Sequence, residues 1–160
     1  MKDLIIENLK SYNFEGFITI AKLKNNRAII PQMPGVYLVL RLSESEPQFL
    51  ETGTGGFYKQ RNPNVSIETL KNKWLKGELL LYIGKATNLN TRLSSYLRFG
   101  QHQNVGHWGG RFIWQLADAN DLIICWKVLE DIIPRDYEKA FLQKFYEANG
   151  KLPFANLQNQ

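Results

Sequence analysis

Two short apolar runs bounded by turn residues set the strongest limit on how this chain can fold. Residues 35–41 (GVYLVLR) follow Pro34, and residues 79–84 (LLLYIG) come shortly after Gly77. Continuous apolar runs of this length are typical of strands buried on both faces, and such strands need helices packed over them. Because helical patterns lie between and after these runs, the sequence predicts an α/β or α+β domain with a small central sheet.

The remaining segments are assigned from hydrophobic periodicity and from turn residues. Ser66 is a favourable N-cap and Gly77 a favourable stop for the helix between them. Pro134 and Gly150 mark the ends of the last helix in the same way. The polar residues 43–64 are rich in Gly and Pro and are typical of a loop. Further helices are predicted at residues 3–12 and 88–97, and extended segments at residues 17–23, 28–31, 112–117 and 122–129.

The composition limits the classes of protein to which the chain can belong. Its 160 residues suit one domain, and its single cysteine, Cys125, excludes an internal disulfide. No apolar run approaches the length of about 18 residues that a membrane span needs. The first residues (MKDLIIENLK) contain acids, which argues against a signal peptide and for the cytoplasm. The formal net charge of +5 permits a nucleic-acid partner.

Positive charge without neighbouring acids characterises the middle of the chain. Residues 79–117 contain no acid and four cations, which are Lys85, Arg92, Arg98 and Arg111. We expect one positive surface there, and two interpretations of it stay open at this point. It is either a solvated face that lacks acids or a face that binds phosphate groups.

Glu138 is the most discriminating residue of the last helix. With about 100° of rotation per residue, Phe141, Leu142 and Phe145 lie within about 60° of it, and the other charged side chains share the remaining face. A carboxylate on an apolar face loses hydration and needs a cation, a metal ion or several hydrogen-bond donors. The alternative is that Glu138 lies at the frayed N-terminal end of the stripe, where its charge suits the helix dipole.

Other polar groups are predicted beside the apolar core. Arg92 and Tyr96 are four positions apart on the flank of a leucine stripe, so that a guanidinium and a phenol reach one place. Lys85 stands at the C-terminal edge of a strand, and Tyr37 lies beside Tyr82 if their strands pair. Each of these residues alone also has an ordinary interpretation, as a boundary cation or as a good strand former.

Taken in order, these residues resemble the GIY-YIG nuclease domain. The two half-motifs are represented by residues 35–37 (GVY) and 82–84 (YIG), followed by Lys85, Arg92, Tyr96, Glu138 and Asn156. Residues 80–97 (LLYIGKATNLNTRLSSYL) are especially similar to the nuclease module of the bacterial excision-repair subunit that incises DNA 3′ to a lesion. The resemblance spans about residues 34–157 and implies a mainly antiparallel, three-stranded central sheet flanked by helices.

The resemblance also implies a role for each matching residue. Tyr37 matches the tyrosine proposed as general base or as the group that orients the attacking water, and Tyr82 matches the tyrosine that lines the site. Lys85 matches a lysine that helps to lower the pKa of the phenol in some members, and Arg92 would stabilise charge on the phosphate. A tyrosine with a pKa of about 10 is a poor base at neutral pH, so the base role needs such help.

The metal site implied by the resemblance depends on one residue. Glu138 matches the sole carboxylate ligand of one divalent ion, which would be Mg²⁺ or Mn²⁺ and would stay mostly hydrated. Tyr96 stands at a position that is tyrosine or histidine in relatives, and Asn156 would brace the site from the end of the chain. The cations expected to bind the DNA backbone are Lys85, Arg92, Arg98 and Arg111.

Two parts of the chain depart from the family pattern within the single domain predicted for residues 1–160. Tyr37 and Tyr82 are 45 positions apart instead of being joined by a short hairpin. Residues 43–77 are therefore expected to form an insertion, looped out of the sheet, that could select or occlude substrate. Residues 1–33 form an N-terminal extension.

An aromatic-rich run at residues 106–116 (GHWGGRFIWQL) has no counterpart in the core motif. It is interpreted either as a glycine turn that enters a strand or as a nucleotide-stacking platform that uses Trp108 or Trp114 beside Arg111. His102 and His107 are expected in a surface loop and not as metal ligands, because no cysteine or acid has ligand spacing to them.

The sequence as a whole favours a metal-dependent endonuclease that hydrolyses DNA phosphodiester bonds. The alternative is a nucleic-acid-binding module on the same fold that has lost turnover. A third interpretation is an accessory protein of a toxin system or a mobile element, in which a protein partner supplies specificity.

Overall fold

A computed structural model describes residues 2–157 of the protein, which form an α+β fold. Within these residues the strands are β1 (Glu15–Thr19), β2 (Gly35–Leu40), β3 (Leu80–Ala86) and β4 (Ile123–Val128). The α-helices are α1 (Lys2–Ser11), α2 (Ile20–Leu23), α3 (Ile67–Lys73), α4 (Leu89–Phe99) and α5 (Pro134–Asn149). Short 3₁₀ helices occupy Arg27–Ile29, Tyr58–Gln60, Arg111–Gln115 and Ala119–Asp121. None of the helices in this described range has both the length and the apolarity to cross a bilayer.

The strands form one antiparallel sheet in the order β1-β4-β2-β3. The prediction of a three-stranded sheet is wrong, because β1 from the N-terminal extension pairs with β4 and adds a fourth strand at one edge. This pairing is non-local, with Ile18 opposite Ile124. The register shifts between Glu15 and Ile18, where Gly16 has a φ of 99°, so the edge strand departs locally from regular pairing.

Three predicted extended segments are wholly or partly wrong. The segment 17–23 is a strand only as far as Thr19, whose hydroxyl accepts a hydrogen bond from the Lys22 amide (3.3 Å) and caps α2. Residues 28–31 and 112–117 overlap 3₁₀ helices instead of forming strands. In the second segment local hydrogen bonds replace strand pairing, since the Ile113 amide donates to the Gly110 carbonyl at 3.2 Å and the Leu116 amide donates to the Ile113 carbonyl at 3.1 Å.

The other predicted elements are confirmed to within a few residues at their ends. These are the helices predicted at residues 3–12, between Ser66 and Gly77, at 88–97 and from 134 to 150, and the strands predicted at 35–41, 79–84 and 122–129.

Helices cover both faces of the sheet, which explains the continuously apolar sequence of β2. Every residue of β2 is buried. Tyr37 and Val39 belong to one core, to which α3 and α4 contribute leucines. Val36, Leu38 and Leu40 belong to a second core, against which α1 and α5 pack. Each fully buried side chain of this size contributes about 1.5–3 kcal/mol, so the position of β2 is strongly determined.

The insertion at residues 43–77 lies outside the sheet and packs on the first core. Its helix α3 buries Leu70 completely. The buried side-chain amide of Gln115 donates to the carbonyls of Leu50 and Val65, each at 2.9 Å. Because these bonds tie two distant points of the insertion to the core, it is an ordered part of the domain.

The C-terminal segment covers the free side of β3, which is the edge strand opposite β1. The Ala155 amide donates to the Leu81 carbonyl at 2.8 Å. The Asn156 side chain donates to the Ile83 carbonyl and accepts from the Ile83 amide, both at 3.0 Å. The side-chain amide of Asn156 thus takes the place of a neighbouring strand and satisfies the backbone amide and carbonyl of Ile83 at the sheet edge.

At Gly84 in β3 the packing leaves no room for a side chain. A Cβ atom there would overlap the phenol ring of Tyr37 on the neighbouring strand. We expect Gly84→Ala to lower the free energy of unfolding by about 1–3 kcal/mol, because the ring or the strand must move. Urea denaturation measures the change.

Gly106→Ala is the matched control. The nearest atom to a Cβ at Gly106 would be 3.4 Å away, which is an ordinary contact. Equal stability of the two variants would contradict the close packing of Tyr37 on Gly84.

Candidate functional site

A cavity of about 780 Å³ opens beside the edge strand β3. Parts of β2, β3, α4 and α5, the loop at residues 108–109 and the C-terminal segment line it. The described lining residues include none from the insertion at residues 43–77. Six of the residues predicted for the site line it, namely Tyr37, Tyr82, Lys85, Arg92, Glu138 and Asn156. Tyr96 does not, and it lies behind them in the core.

The pairing of β2 with β3 brings three tyrosines together. Tyr37 lies opposite Gly84, and Tyr82 lies opposite Val39. The ring centroids of Tyr37 and Tyr82 are 6.0 Å apart, and Tyr96 from α4 stacks on Tyr82 at 5.8 Å. The expected proximity of Tyr37 to Tyr82 is therefore confirmed.

His107 belongs to this cluster, although sequence reasoning did not find it. The prediction of a surface position for His107 is wrong, because its side chain is fully buried. Its Nε2 atom lies 2.9 Å from the Tyr37 hydroxyl oxygen, and its ring is 4.4 Å from the ring of Tyr96. The sequence carries only a weak signal, which is the glycine at position 110 near His107. In the structure Gly110 has a φ of 74°, and its carbonyl accepts a hydrogen bond from the Tyr96 hydroxyl at 2.8 Å.

Burial keeps the groups of this cluster uncharged. It raises the pKa of Tyr37 and of Tyr96 well above the usual value. Burial, with the Glu138 carboxylate as a smaller cause, raises the pKa of Tyr82 to about 12. Burial and then the charge of Arg92 lower the pKa of His107 to about 3. A neutral imidazole can accept the Tyr37 proton in a hydrogen bond at Nε2, which leaves the Tyr37 oxygen able to accept from another donor.

Arg92 supplies positive charge at the cavity wall. Its Nη1 atom donates to the Gly106 carbonyl at 3.2 Å, and it makes no ion pair within residues 2–157. Its charge lowers the pKa of Tyr37 and of Tyr82, against the larger effect of burial. The guanidinium is therefore available to bind an anion in the cavity.

Glu138 reaches the cavity from the layer on the other face of the sheet. Its side chain is 17% exposed, and its Oε1 atom lies 3.3 Å from Nζ of Lys85, whose side chain is 45% exposed. Phe141 and Leu142 of the same helix pack against the second core. The expectation that an inward carboxylate needs a cation fits this pairing, since Lys85 provides the opposite charge.

The described residues offer a divalent ion a single carboxylate at this cavity, and that carboxylate is paired with Lys85. Among the described lining residues Glu138 is the sole carboxylate, and residues 2–157 contain no group of three or more His, Cys, Asp or Glu side chains placed to hold a metal. Mg²⁺ keeps several waters and often takes only one or two carboxylates together with substrate phosphate. Glu138 could serve as that single ligand if Lys85 yields part of its contact.

Two of the cations predicted to bind DNA do not line the cavity. Arg98 is exposed, and its Nε atom donates to the side chain of Gln103 at 2.9 Å. The Cζ atom of Arg111 lies 4.6 Å from the ring centroid of Trp108, which does line the cavity. The interpretation of Trp114 as a stacking platform is wrong, because its side chain is buried.

The neutral buried His107 makes stability depend on pH. In the unfolded chain its pKa returns to the ordinary value of 6.5, whereas in the folded chain it is about 3. The unfolded chain therefore binds an additional proton below pH 6.5, and stability is full above that pH and falls as the pH decreases toward 3. From pH 7.5 to pH 5 we expect the free energy of unfolding to decrease by about 2 kcal/mol from this residue, measured by urea denaturation.

The variant His107→Gln should lose most of this slope, while His102→Gln, at an exposed position, should keep it. An unchanged slope in the His107 variant would show that the imidazole is not held neutral by burial.

Comparison of the chain with models of protein families, with curated proteins and with solved structures gives no match. Its function is therefore inferred from the chemistry of this site.

Proposed function

We propose that this protein is a metal-dependent endonuclease of the GIY-YIG type, which hydrolyses DNA phosphodiester bonds in the cytoplasm with one divalent ion, Mg²⁺ or Mn²⁺, at Glu138. The observation that carries the proposal is the meeting of Glu138, Arg92 and Tyr37 at one cavity from three separate elements. Phosphodiester hydrolysis needs a positioned water and positive charge at the phosphate oxygens. Tyr37 would position the water, and Arg92 together with a metal ion at Glu138 would supply the positive charge.

Arg92 is the residue proposed to bind the phosphate of the cleaved bond. Its guanidinium offers a planar fork that matches two phosphate oxygens. Buried phenols form the wall beside it, and in such surroundings a fixed charge acts more strongly than it would in water. Lys85 also lines the cavity, where its ammonium is paired with Glu138.

Tyr37 is proposed to orient the attacking water and not to act as a phenolate base. The pKa of Tyr37 is raised by burial, and the lowered pKa of His107 disfavours full transfer of the proton to the imidazole. We assign the neutral His107 the tautomer with its proton on Nδ1, so that the Tyr37 hydroxyl, 2.9 Å from Nε2, donates to it and its oxygen can accept from the water. The water forms the new P–O bond, one ester P–O bond breaks, and the two water protons end on the released hydroxyl and in solvent.

The remaining residues hold this arrangement in place. A divalent ion at Glu138 would supply positive charge at the phosphate oxygens. Asn156 fixes β3 through both backbone groups of Ile83, directly between Tyr82 and Gly84. The ring of Tyr96, 6.0 Å from that of Tyr37, fills the space behind the site.

Glu138→Gln tests metal-dependent cleavage. With supercoiled plasmid and Mg²⁺ or Mn²⁺, we expect the wild type to nick the DNA and the variant to lose about 100-fold or more of the activity, because a neutral amide is a poor replacement for a carboxylate ligand. Gel electrophoresis measures the nicked product.

Glu147→Gln, at an exposed position of the same helix, is the matched control and should nick like the wild type. Absence of nicking by the wild type with either metal, or equal nicking by the Glu138 variant, would refute the nuclease proposal.

Tyr37→Phe tests the orientation of the water. Phenylalanine keeps the ring over Gly84 but removes the oxygen, so we expect folding to persist and the cleavage rate to fall about 10- to 100-fold. Single-turnover cleavage of labelled DNA measures the rate. Tyr12→Phe, at a side chain that is 66% exposed, controls for loss of a phenol elsewhere. A Tyr37 variant that keeps most of the rate would remove this role.

A nucleic-acid-binding module without turnover is the second candidate function. The ion pair between Lys85 and Glu138 favours it, because a cation already compensates the carboxylate and phosphate binding would need no metal. This candidate predicts salt-sensitive DNA binding that survives Glu138→Gln and no cleavage by the wild type.

A further inference from the structure

We infer that Arg61, Trp108 and Arg111 form a second phosphate-binding site, which holds the DNA backbone next to the bond that is cleaved. We call these three residues the Trp108 site. The inference rests on the proposed function, since it assumes that a DNA strand enters the cavity. It adds a binding site that none of the motif residues forms.

Two guanidinium groups lie over one indole ring in the Trp108 site. The Cζ atom of Arg61 is 4.2 Å from the ring centroid of Trp108, and that of Arg111 is 4.6 Å from it. The Arg111 side chain also reaches the Trp108 carbonyl at 3.4 Å, and Phe99 contacts the indole edge-on at 6.2 Å. The indole therefore holds both cations at a defined place.

Two like charges held against one ring repel each other, and a bound anion offsets this repulsion. Neither Arg61 nor Arg111 makes an ion pair within residues 2–157. Partial burial and, after it, the charge of Arg61 lower the pKa of Arg111. A phosphate group bound by both guanidinium forks would remove this repulsion and is the anion that such forks match.

The Trp108 site adjoins the cavity. Trp108 is one of the residues that line the cavity, together with Arg92. Arg92 donates a hydrogen bond to the carbonyl of Gly106, two residues before Trp108. The loop that carries the indole therefore contacts Arg92 as well as the Trp108 site. A strand whose phosphate contacts Arg92 therefore passes close to the Trp108 site.

The ligand is a phosphate and not a stacked base. The guanidinium groups already occupy positions over the indole, and Trp114, the other tryptophan of this run, is buried. A base would have to displace a guanidinium in order to stack. Trp108 then serves as the platform for the arginines, which face the backbone of the nucleic acid.

The insertion at residues 43–77 supplies half of this site. Arg61 is exposed and follows the 3₁₀ helix at Tyr58–Gln60, and its amide donates to the Tyr58 carbonyl at 3.1 Å. Lys59 and Gln60, with φ values of 52° and 62°, adopt the left-handed conformation that non-glycine residues disfavour. A conformation of this kind, held directly before Arg61, is the type of local strain that collects at binding positions.

The test is DNA binding by the full chain in EDTA, where no cleavage occurs. Fluorescence anisotropy of a short labelled duplex gives the dissociation constant at several salt concentrations. We expect Arg61→Gln to weaken binding about tenfold at low salt and to reduce the slope of log Kd against log salt by about 1, because one phosphate contact is lost. Arg61→Lys, which keeps the charge and loses the planar fork, should give an intermediate affinity.

Lys22→Gln is the charge-matched control, because Lys22 is exposed on α2, which follows β1 at the sheet edge away from β3. Thermal unfolding verifies that the variants fold, and Arg111→Gln repeats the test at the second guanidinium. Equal affinity and slope for wild type, Arg61→Gln and Lys22→Gln would overturn the inference.

Parallel plasmid nicking with Mg²⁺ separates this inference from the proposed function. If the wild type nicks DNA but Arg61→Gln binds like the wild type, the Trp108 site is refuted and the nuclease stands. If Arg61→Gln weakens binding but the wild type never nicks, the site stands and catalysis is refuted. A wild type that binds no DNA refutes both.

Discussion

The contact of the Tyr37 ring with Gly84 is the interaction on which the other parts of the site depend. It exists only in the register that puts Tyr37 opposite Gly84, and a shift by one residue would turn every side chain of β2 to the other face of the sheet. Since β2 is buried on both faces, that shift would also exchange the two cores. The cost of such an exchange fixes the Tyr37 hydroxyl beside His107 and fixes the ring beside Tyr82.

The position of β3 at the edge of the sheet explains how two layers can share one cavity. Glu138 and Lys85 belong to the α5 side of the sheet, whereas Tyr37 and Arg92 belong to the α4 side. An interior strand would separate these groups, but side chains can meet around an edge. An open edge carries unpaired backbone groups, and Asn156 satisfies those of Ile83 without adding a strand that would close the cavity.

The same geometry explains why a long insertion leaves the site intact. Leu40 at the end of β2 pairs with Leu80 at the start of β3, and the Arg41 amide donates to the Leu79 carbonyl at 2.8 Å. The insertion thus leaves and returns at adjacent positions, as a hairpin loop would. The entropic cost of closing a loop grows only slowly with its length, and burial of Leu70 offsets part of it.

Periodicity predicted the parts of this protein that depend on local pattern and missed those that depend on distant contacts. The inward position of Glu138 follows from a helix wheel, and the proximity of Tyr37 to Tyr82 follows from the pairing of two apolar strands. His107 and Arg61 gave no such signal, because His107 meets Tyr37 across 70 positions and Arg61 reaches Trp108 from an irregular segment. The pattern of residues 17–23 predicts a strand but not its place in the sheet, because its partner β4 lies more than a hundred residues along the chain.

The cavity combines neutral buried side chains with cations at its border. The phenols of Tyr37 and Tyr82 and the imidazole of His107 are neutral and buried, so they cannot balance the charge of a phosphate. That balance falls to cations at the border between core and solvent, where a guanidinium keeps part of its hydration and still acts through a medium of low dielectric. Arg92 lies at the cavity wall with the neutral cluster behind it, while Arg61 and Arg111 lie on the indole beside it. In the proposed function the neutral cluster sets the geometry and the cations attract the phosphate, so each depends on the other.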